Sequence, residues 1–173
     1  IKILVWNCRG IGNTATVREL KQLLVANDFK IVFLCETKVH SNNFSYIRSG
    51  CRMDGCLAVN AIGKSGGLVM MWKEGMTVMI QNYSKYHIDS LVCLEDGMRL
   101  RLTGFYGQAD PNNRNLSWDM LRRVKDTINE GWILAGDFNA ILNNAEKEGG
   151  RRKPRSSMED FCKLLEELAL VDV

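Results

Sequence analysis

The sequence has no long hydrophobic run and no strong excess of charge of either sign. A membrane-spanning helix needs about 20 apolar residues, and no stretch of this chain approaches that length. The N-terminal apolar run, residues 1–6, is also too short for a signal peptide. A formal charge of +3 is too slight to indicate nucleic-acid binding by itself. We therefore expect neither membrane insertion nor secretion.

The sequence also lacks closely spaced metal-binding cysteines. Its six cysteines, at positions 8, 35, 51, 56, 93 and 162, show no two-residue spacing of a zinc knuckle or redox motif, and free thiols of this kind suit a reducing intracellular compartment. With 46% hydrophobic and 25% charged residues, collagen-like, mucin-like and largely disordered classes are excluded. The 173 residues suit one domain, 1–173, that needs no disulfide or metal to fold.

Short apolar runs rich in Ile, Val, Leu, Phe and Trp predict seven strands. They cover residues 1–6, 31–35, 68–72, 77–80, 88–94, 100–106 and 132–135. Glycine-containing turns at 73–75 and 95–97 predict hairpins, so the middle of the chain is expected to be antiparallel. The alternation over 99–103 predicts one buried and one polar strand face.

Three segments have helical spacing instead. Capping boxes predict that the first begins around Thr16 and the third at Ser156, while Asn27 and Gly131 are expected to end the first and second. The order of strands and helices predicts an α/β or α+β sandwich with helices packed outside sheets.

Polar side chains lie at the ends of four of the predicted strands: Asn7, Glu36, Tyr106, and Asp137 with Asn139. Sites commonly form at sheet ends, and these oxygen ligands would suit Mg²⁺ and not zinc if they met at one edge. Phosphoryl transfer to water is the chemistry that this set favours. Each residue alone has a simpler interpretation, since Asx residues after a strand also form turns.

The motifs themselves resemble a known family. WNCRG at 6–10, CETK at 35–38, SGGL at 65–68, TGFYG at 103–107 and GDFNAIL at 136–142 are similar to the endonuclease/exonuclease/phosphatase superfamily. Their wording most resembles the endonuclease domain of plant non-LTR retrotransposon polyproteins. The resemblance implies a four-layer α/β/β/α sandwich of the deoxyribonuclease and apurinic-endonuclease type, here with an incomplete second half.

The resemblance also implies a role for each residue. Glu36 would be the main ligand of Mg²⁺, with Mn²⁺ as an alternative, and Asn7 would help to hold the ion. Asp137 would orient or deprotonate the attacking water, while Asn139 and Tyr106 would hydrogen-bond the scissile phosphate. The substrate would be double-stranded DNA in the nucleus. In a full-length polyprotein, the nick would prime a downstream reverse transcriptase domain.

Two departures from the family pattern affect these expectations. Apurinic endonucleases carry an acidic residue where this sequence has Arg9, which argues against a second metal ligand. Family members also end with a Ser-Asp-His motif whose histidine is a general acid or base, whereas this sequence ends at Val173 without one and has only His40 and His87. Loss of such a group costs ~10²- to 10⁴-fold in rate, so we expect an impaired or inactive remnant.

Two alternative functions stay open. The same fold could serve a phosphoesterase acting on inositol phosphates or lipids, although no basic pocket for such a substrate is marked in the sequence. A catalytically dead nucleic-acid-binding module is the other alternative. The basic stretch at 151–155 could touch a DNA backbone, but short charge runs are more often solvated loops.

Overall fold

A computed structural model of the protein describes residues 1–172. The described residues form two compact units, the first made of Ile1–Tyr106 and Asn129–Gly136 and the second of Gly107–Ile128 and the chain from Asp137 onward. The elements are, in chain order, β1 (Ile3–Asn7), α1 (Thr14–Asn27), β2 (Ile31–Cys35), a 3₁₀ turn (Ser41–Asn43), α2 (Phe44–Gly50), β3 (Gly55–Ile62), β4 (Ser65–Trp72), β5 (Thr77–Ser84), β6 (His87–Cys93), β7 (Arg99–Tyr106), α3 (Arg114–Lys125), β8 (Gly131–Asp137), a second 3₁₀ turn (Asn144–Glu146) and α4 (Arg155–Glu167).

The first sheet of the first unit has the strand order β1-β2-β4-β3. Strand β1 runs parallel to β2, with Ile3 opposite Ile31 and Asn7 opposite Cys35, while β4 is antiparallel to both β2 and β3. Parallel strands need a crossover connection, and α1 supplies it. As a result, β1 and β2 end side by side at the same edge of the sheet.

Strand β2 is apolar at every position because it is buried on both faces. Its residues Val32 and Leu34 share a core with Leu20 of α1 and Phe44 of α2. The alternate residues of β2 face the second sheet. The first unit therefore has a helical layer on one face of its first sheet and the second sheet on the other.

The second sheet has the order β5-β6-β7-β8, with antiparallel pairing from β5 to β7. Its inner face packs against the first sheet through a core that includes Phe33, Ile88 and Leu102. The two sheets approach closely at Gly104, where a Cβ atom would lie 2.2 Å from Cδ2 of Phe33. A residue with a side chain could not occupy this position without displacing the phenylalanine ring.

The strand predictions are largely confirmed, and the turn at 95–97 joins the antiparallel pair β6 and β7. The hairpin predicted at 73–75 is wrong, because this turn leads from β4 in the first sheet to β5 in the second. Local turn chemistry cannot distinguish a hairpin from a crossing between sheets. Strand β3 and helix α2 were not predicted.

The predicted starts of two helices are also wrong. Helix α1 begins at Thr14, where the N-cap Asn13 accepts a hydrogen bond from the N–H of Ala15. Helix α4 begins at Arg155 after Pro154, without a side-chain cap. Proline suits such a boundary because its fixed φ is compatible with a helix start. The prediction that Asn27 ends the first helix is confirmed, whereas the second ends at Lys125, before Gly131.

The polar face predicted for residues 99–103 is only partly exposed to solvent. Arg101 and Thr103 are buried, and both donate hydrogen bonds to the buried carboxylate of Asp89 on β6. The Nε1 of Trp132 on β8 donates in turn to Oγ1 of Thr103, at 2.9 Å. Alternation correctly predicted two different faces, but a buried polar network cannot be told from an exposed one by period alone.

The second unit contains α3 and α4. The rings of Trp118 and Phe161 stack at 6.2 Å between centroids, and Phe138 lies 5.4 Å from Phe161. Arg122 of α3 and Glu167 at the end of α4 form an ion pair at 2.7 Å. Among residues 1–172, each helix is too short or too polar to cross a lipid bilayer.

Candidate active site

The parallel pairing of β1 and β2 places the segments after Asn7 and Cys35 next to each other. The N–H of Cys8 donates to the carbonyl of Cys35 at 3.1 Å, and the N–H of Ile11 donates to the carbonyl of Thr37 at 2.9 Å. Asn7 and Glu36, which these bonds hold on neighbouring segments, are both half-buried. The edge therefore presents an amide and a carboxylate on two adjacent strand ends.

Tyr106 brings the second sheet to this edge. It is the last residue of β7, and its hydroxyl donates a hydrogen bond to Oε1 of Glu36 at 2.7 Å. The two residues are far apart in sequence, so the contact exists only because the sheets are packed face to face. Among the five residues predicted for the site, this pair is joined by a hydrogen bond between two side chains.

The backbone around Glu36 is held in an unusual conformation. Glu36 has a left-handed φ of +53°, which costs free energy for a residue with a side chain. The N–H groups of Thr37 and Lys38 donate to the carbonyls of Gly67 and Gly66 at 3.2 and 3.0 Å, which fixes the segment against β4. Strained conformations held in this way are typical of functional sites.

The side chain of Asn7 has a turn-forming role in the structure. Its Oδ1 accepts a hydrogen bond from the backbone N–H of Arg9 at 3.2 Å, which is an Asx turn. An amide oxygen has two lone pairs, so an Asx turn does not by itself prevent this atom from contacting a cation. The structural and the functional interpretation of Asn7 are therefore compatible.

Asp137 and Asn139 belong to the second unit, where they form a local turn. Oδ1 of Asp137 accepts from the N–H of Asn139 at 2.9 Å, and Asn139 has a left-handed φ of +51°. Nδ2 of Asn139 donates to the carbonyl of Gly107 at 2.7 Å. The second N–H of this amide has no partner among residues 1–172, so a donor is left for a ligand.

Arg114 is a residue that sequence reasoning missed. It opens α3, is only 5% exposed, and donates to the carbonyl of Asn139 and to Oγ of Ser157, both at 3.3 Å. Its guanidinium also lies over the ring of Trp118, 5.7 Å from the centroid. Arg114 thereby holds the turn that carries Asn139, and no local pattern distinguishes it from an exposed helical arginine.

Cys8 and the two histidines have other surroundings. Burial raises the pKa of the Cys8 thiol, so this cysteine stays protonated and is not a nucleophile at neutral pH. His40 precedes the 3₁₀ turn, and its Nδ1 accepts from the N–H of Asn42. His87 is buried, and its Nδ1 is hydrogen-bonded with Oγ of Ser84 at 2.7 Å.

The donor chemistry of the edge decides which metal it fits. No group of three or more His, Cys, Asp or Glu residues within 1–172 is arranged to hold a metal ion, so the closed coordination shell of a structural zinc site is not formed by these residues. Mg²⁺ is commonly bound through one or two carboxylates while keeping several waters. Glu36, with the amide oxygen of Asn7 on the adjacent segment, is compatible with this mode of Mg²⁺ coordination.

Comparison with known proteins gives the family. The sequence matches the Endonuclease/Exonuclease/phosphatase family over residues 4–167. The chain therefore belongs to this family, and the predicted superfamily is confirmed. No functionally curated protein matches the sequence significantly.

Solved structures agree with this assignment. The AP endonuclease from Leishmania major has a TM-score of 0.70 at 14% identity, with 96% of this chain and 66% of that chain covered. A 3′ phosphatase from Neisseria bound to product DNA gives 0.67 at 16%, covering 96% and 71%. The endonuclease domain of TRAS1, a telomere-specific non-LTR retrotransposon, gives 0.65 at 14%, covering 96% and 69%.

Because these sequence identities are low, the structural matches establish the fold alone. The predicted α/β class of deoxyribonuclease and apurinic-endonuclease type is confirmed. The chain spans about two-thirds of the length of these proteins, with 66% of the Leishmania enzyme covered.

Proposed function

We propose that this chain is a metal-dependent DNA endonuclease domain of the retrotransposon type. The observation that carries the proposal is the hydrogen bond from Tyr106 to Glu36 at 2.7 Å, which unites the ends of two strands from different sheets around one carboxylate. The likeness to a retrotransposon endonuclease domain supports the substrate class, double-stranded DNA. A downstream reverse transcriptase and a nuclear location belong to the same proposal.

The proposed reaction is hydrolysis of a phosphodiester. Glu36 and Asn7 would hold Mg²⁺, which when bound neutralises charge on the departing 3′ oxygen. Asp137 would orient the attacking water and accept its proton, while Asn139 would donate its remaining N–H to the phosphate in the transition state. Water would add to phosphorus as the bond to the 3′ oxygen breaks, and the departing oxygen would take a proton from solvent, so that a 5′ phosphate and a 3′ hydroxyl result.

Tyr106 has a different role in this proposal from the one that family resemblance implies. A phenol has a single proton, and in the structure that proton is donated to Glu36. While this bond is formed, the hydroxyl cannot also donate to a phosphate. We therefore assign Tyr106 primarily to orienting the Glu36 carboxylate.

We further propose that the rate of this chain is low. Neither histidine of the sequence lies in a Ser-Asp-His motif, and His87 is buried and hydrogen-bonded with Ser84. Asp137 accepts the proton of the water in this proposal, but no residue is assigned as the general acid for the leaving oxygen, and the lack of a general acid costs ~10²- to 10⁴-fold. Binding of duplex DNA without measurable hydrolysis is the second candidate function, and the burial of His87 is the observation that favours it.

Plasmid nicking tests the proposal. The chain would be incubated with supercoiled plasmid in Mg²⁺, in Mn²⁺ and in EDTA, alongside Glu36→Gln and the exposed control Glu74→Gln. We expect metal-dependent nicks that Glu36→Gln abolishes and Glu74→Gln preserves. A chain extended with the C-terminal Ser-Asp-His segment of a longer family member should nick faster.

Three other results would count against parts of the proposal. Salt-sensitive retention of duplex DNA without nicking by either the short or the extended chain would favour the binding module. Hydrolysis of inositol phosphates without any nicking of DNA would overturn the assigned substrate. If Glu36→Gln nicked DNA as fast as the original chain, the assignment of Glu36 as a metal ligand would be overturned.

A further inference from the structure

A cavity of about 600 Å³ lies at the edge of the first sheet opposite to the edge that carries Glu36. It is lined by the C-terminal half of α1, by residues 50–52 after α2, and by Asp28 and Lys73, all of which belong to the first unit. Lys73 follows β4, whose end pairs with the start of β2, whereas Glu36 follows the end of β2. Because β2 has five residues, the two edges are roughly 17 Å apart. The cavity is therefore separate from the candidate active site.

The carboxylate in the lining of this cavity is already neutralised. Oδ1 of Asp28 lies 2.7 Å from Nζ of Lys73, and Oδ2 lies 2.9 Å from Nζ of Lys30. Two ammonium groups thus share one carboxylate at this edge. The negative charge of Asp28 does not balance any other cation of the cavity.

The cavity contains two further cations, Lys21 and Arg52. Within residues 1–172 their side chains form neither an ion pair nor a hydrogen bond. Lys21 is half-buried, and its Nζ would lie 3.0 Å from a Cβ atom on Gly50. The positions three and four residues before and after Lys21 on α1 hold no acidic residue, so its own helix offers no counter-charge. Partial burial of an unpaired charge costs free energy, and an anion bound in the cavity would offset that cost.

We propose that this cavity binds a small organic phosphate monoester. A monoester carries about −1.5 to −2 charges at pH 7, which matches two unpaired cations, whereas a carboxylate carries a single charge. The planar guanidinium of Arg52 can bind two phosphate oxygens, and the ammonium of Lys21 adds a compact charge. This site does not depend on the proposed nuclease function.

The rest of the lining suits the organic part of such a ligand. Leu24 and Cys51 are buried, and Val25 adds an exposed apolar side chain at the rim. Burial raises the pKa of the Cys51 thiol, so this group is uncharged at neutral pH and does not repel an anion. Sites for small ligands commonly have volumes of about 300–1,000 Å³, and the cavity falls within that range.

Amide chemical shifts of the ¹⁵N-labelled full chain test the proposal. The chain would be titrated in Tris chloride without added metal, since this buffer supplies no competing oxyanion. The probes are adenosine monophosphate, adenosine, inorganic phosphate and benzoate. Signals of residues 50–52 report on the cavity, and those of residues 7 and 36 report on the candidate active site.

The variants for this titration remove the two unpaired charges one at a time and together, in Lys21→Gln, Arg52→Gln and the double variant. Lys2→Gln and Arg18→Gln change exposed cations of the same unit that do not line the cavity, so they are the matched controls. Arg52 is itself exposed, so Arg52→Gln carries the test if Lys21→Gln fails to fold.

We expect adenosine monophosphate to shift the signals of residues 50–52 in a saturable way. Each single variant should weaken this binding about 10-fold, as is typical when a hydrogen bond to a charged group is lost, and the double variant should show no saturation. Adenosine should leave the signals unchanged, whereas inorganic phosphate and benzoate should bind more weakly than adenosine monophosphate. Arg52→Lys should retain more affinity than Arg52→Gln.

Several results would overturn the proposed site. These are the absence of saturable shifts at residues 50–52, an unchanged affinity in the double variant, and an equal loss of affinity in the Lys2 and Arg18 controls. Shifts confined to the surroundings of residues 7 and 36 would place the phosphate in the candidate active site instead. Tighter binding of benzoate than of adenosine monophosphate would overturn the phosphate class.

Plasmid nicking separates this site from the proposed function. Lys21→Gln and Arg52→Gln lie at the other edge of the sheet, so both should nick at the rate of the original chain. A chain that never nicks DNA but binds adenosine monophosphate as described would support the cavity site and overturn the nuclease alone.

Discussion

The hydroxyl of Tyr106 donates to Oε1 of Glu36 at 2.7 Å, and this bond joins the end of β7 to the end of β2. The two strands belong to different sheets of the first unit. The geometry of the carboxylate therefore depends on how the sheets are packed and not on its own loop alone.

Tyr106→Phe removes this hydrogen bond and keeps the ring. We expect Mg²⁺ affinity or activity to fall about 10- to 100-fold, as is typical when the hydrogen-bond partner of a metal ligand is removed. Calorimetric titration with Mg²⁺ measures it, with Tyr83→Phe at an exposed position as control. Equal Mg²⁺ affinity in the two variants would contradict the orienting role.

Gly67 supports the Glu36 segment from β4. It has a φ of +87°, and a Cβ atom there would lie 2.3 Å from Oγ1 of Thr37. Gly75 has a similar φ of +84° with nothing within 4 Å of a Cβ atom. Both alanine variants carry the backbone penalty of about 1–2 kcal/mol.

The difference between the two variants isolates the steric clash. Gly67→Ala should lower the free energy of unfolding by a further ~1–3 kcal/mol through overpacking, and it should also weaken Mg²⁺ binding because Thr37 follows Glu36. Urea denaturation of both variants gives the comparison. If Gly75→Ala lowered the free energy of unfolding as much as Gly67→Ala, the clash with Oγ1 of Thr37 would not be the cause of the lower stability.

The buried ion pair of the second sheet is a sensitive point for stability. Nη2 of Arg101 lies 2.6 Å from Oδ2 of Asp89, whose side chain has 0% exposure. The hydrogen bond to this carboxylate raises the pKa of the arginine. Arg101→Met leaves Asp89 buried without its cation, which costs ~3–5 kcal/mol in comparable pairs.

Arg99→Met provides the control on the same strand. The side chain of Arg99 is 60% exposed and lies 4.0 Å from Glu130, so its removal should cost less than about 1 kcal/mol. Chemical denaturation followed by tryptophan fluorescence measures both variants. Similar unfolding midpoints for Arg99→Met and Arg101→Met would show that the buried pair contributes nothing.

Asp28 makes the free energy of unfolding depend on pH. Lys73 and Lys30 hydrogen-bond its carboxylate and lower its pKa from 3.8 to about 2. The folded state binds this proton less tightly than the unfolded state, so the contribution is present above pH 3.8 and is lost as the pH falls to about 2. Asp28→Asn should flatten acid unfolding in this window, whereas a wild-type acid profile would refute the assignment.

Arg114 offers a test of the second unit. Arg114→Ala removes the donor at 3.3 Å from the carbonyl of Asn139, so the turn that carries Asn139 should loosen and kcat for nicking should fall, with little change in KM. Arg123→Ala, at an exposed position of the same helix, is the control. Unchanged kcat in Arg114→Ala would assign Arg114 to packing around Trp118 only.

The pattern of apolar residues predicted most strands well, because a short apolar run is stabilised by burial in a sheet and not by exposure to water. Strand β2, buried on both faces, is the clearest example. Strand β3 was missed because most of its residues are half-buried, so buried and exposed positions do not alternate along it in a simple way. Helix starts failed where the chain used Asn13 and Pro154 in place of the predicted capping boxes.

The candidate site was predicted as residue types at strand ends, and only part of that prediction is placed by the structure. The pair of Glu36 and Tyr106 is in contact. Asp137 and Asn139 form their own turn in the second unit, and their joint action with Glu36 stays a prediction. Arg114 was missed because burial of a charged residue depends on tertiary packing.

The sequence by itself determined most of the segments that become strands and the chemistry that their ends carry, because hydrophobic period and side-chain type are local properties. Only the tertiary structure decided that β4 and β5 lie in different sheets, that Arg101 is buried against Asp89, and that Tyr106 reaches Glu36. Each of these depends on which surfaces of distant segments exclude water from one another, and no window of neighbouring residues contains that information.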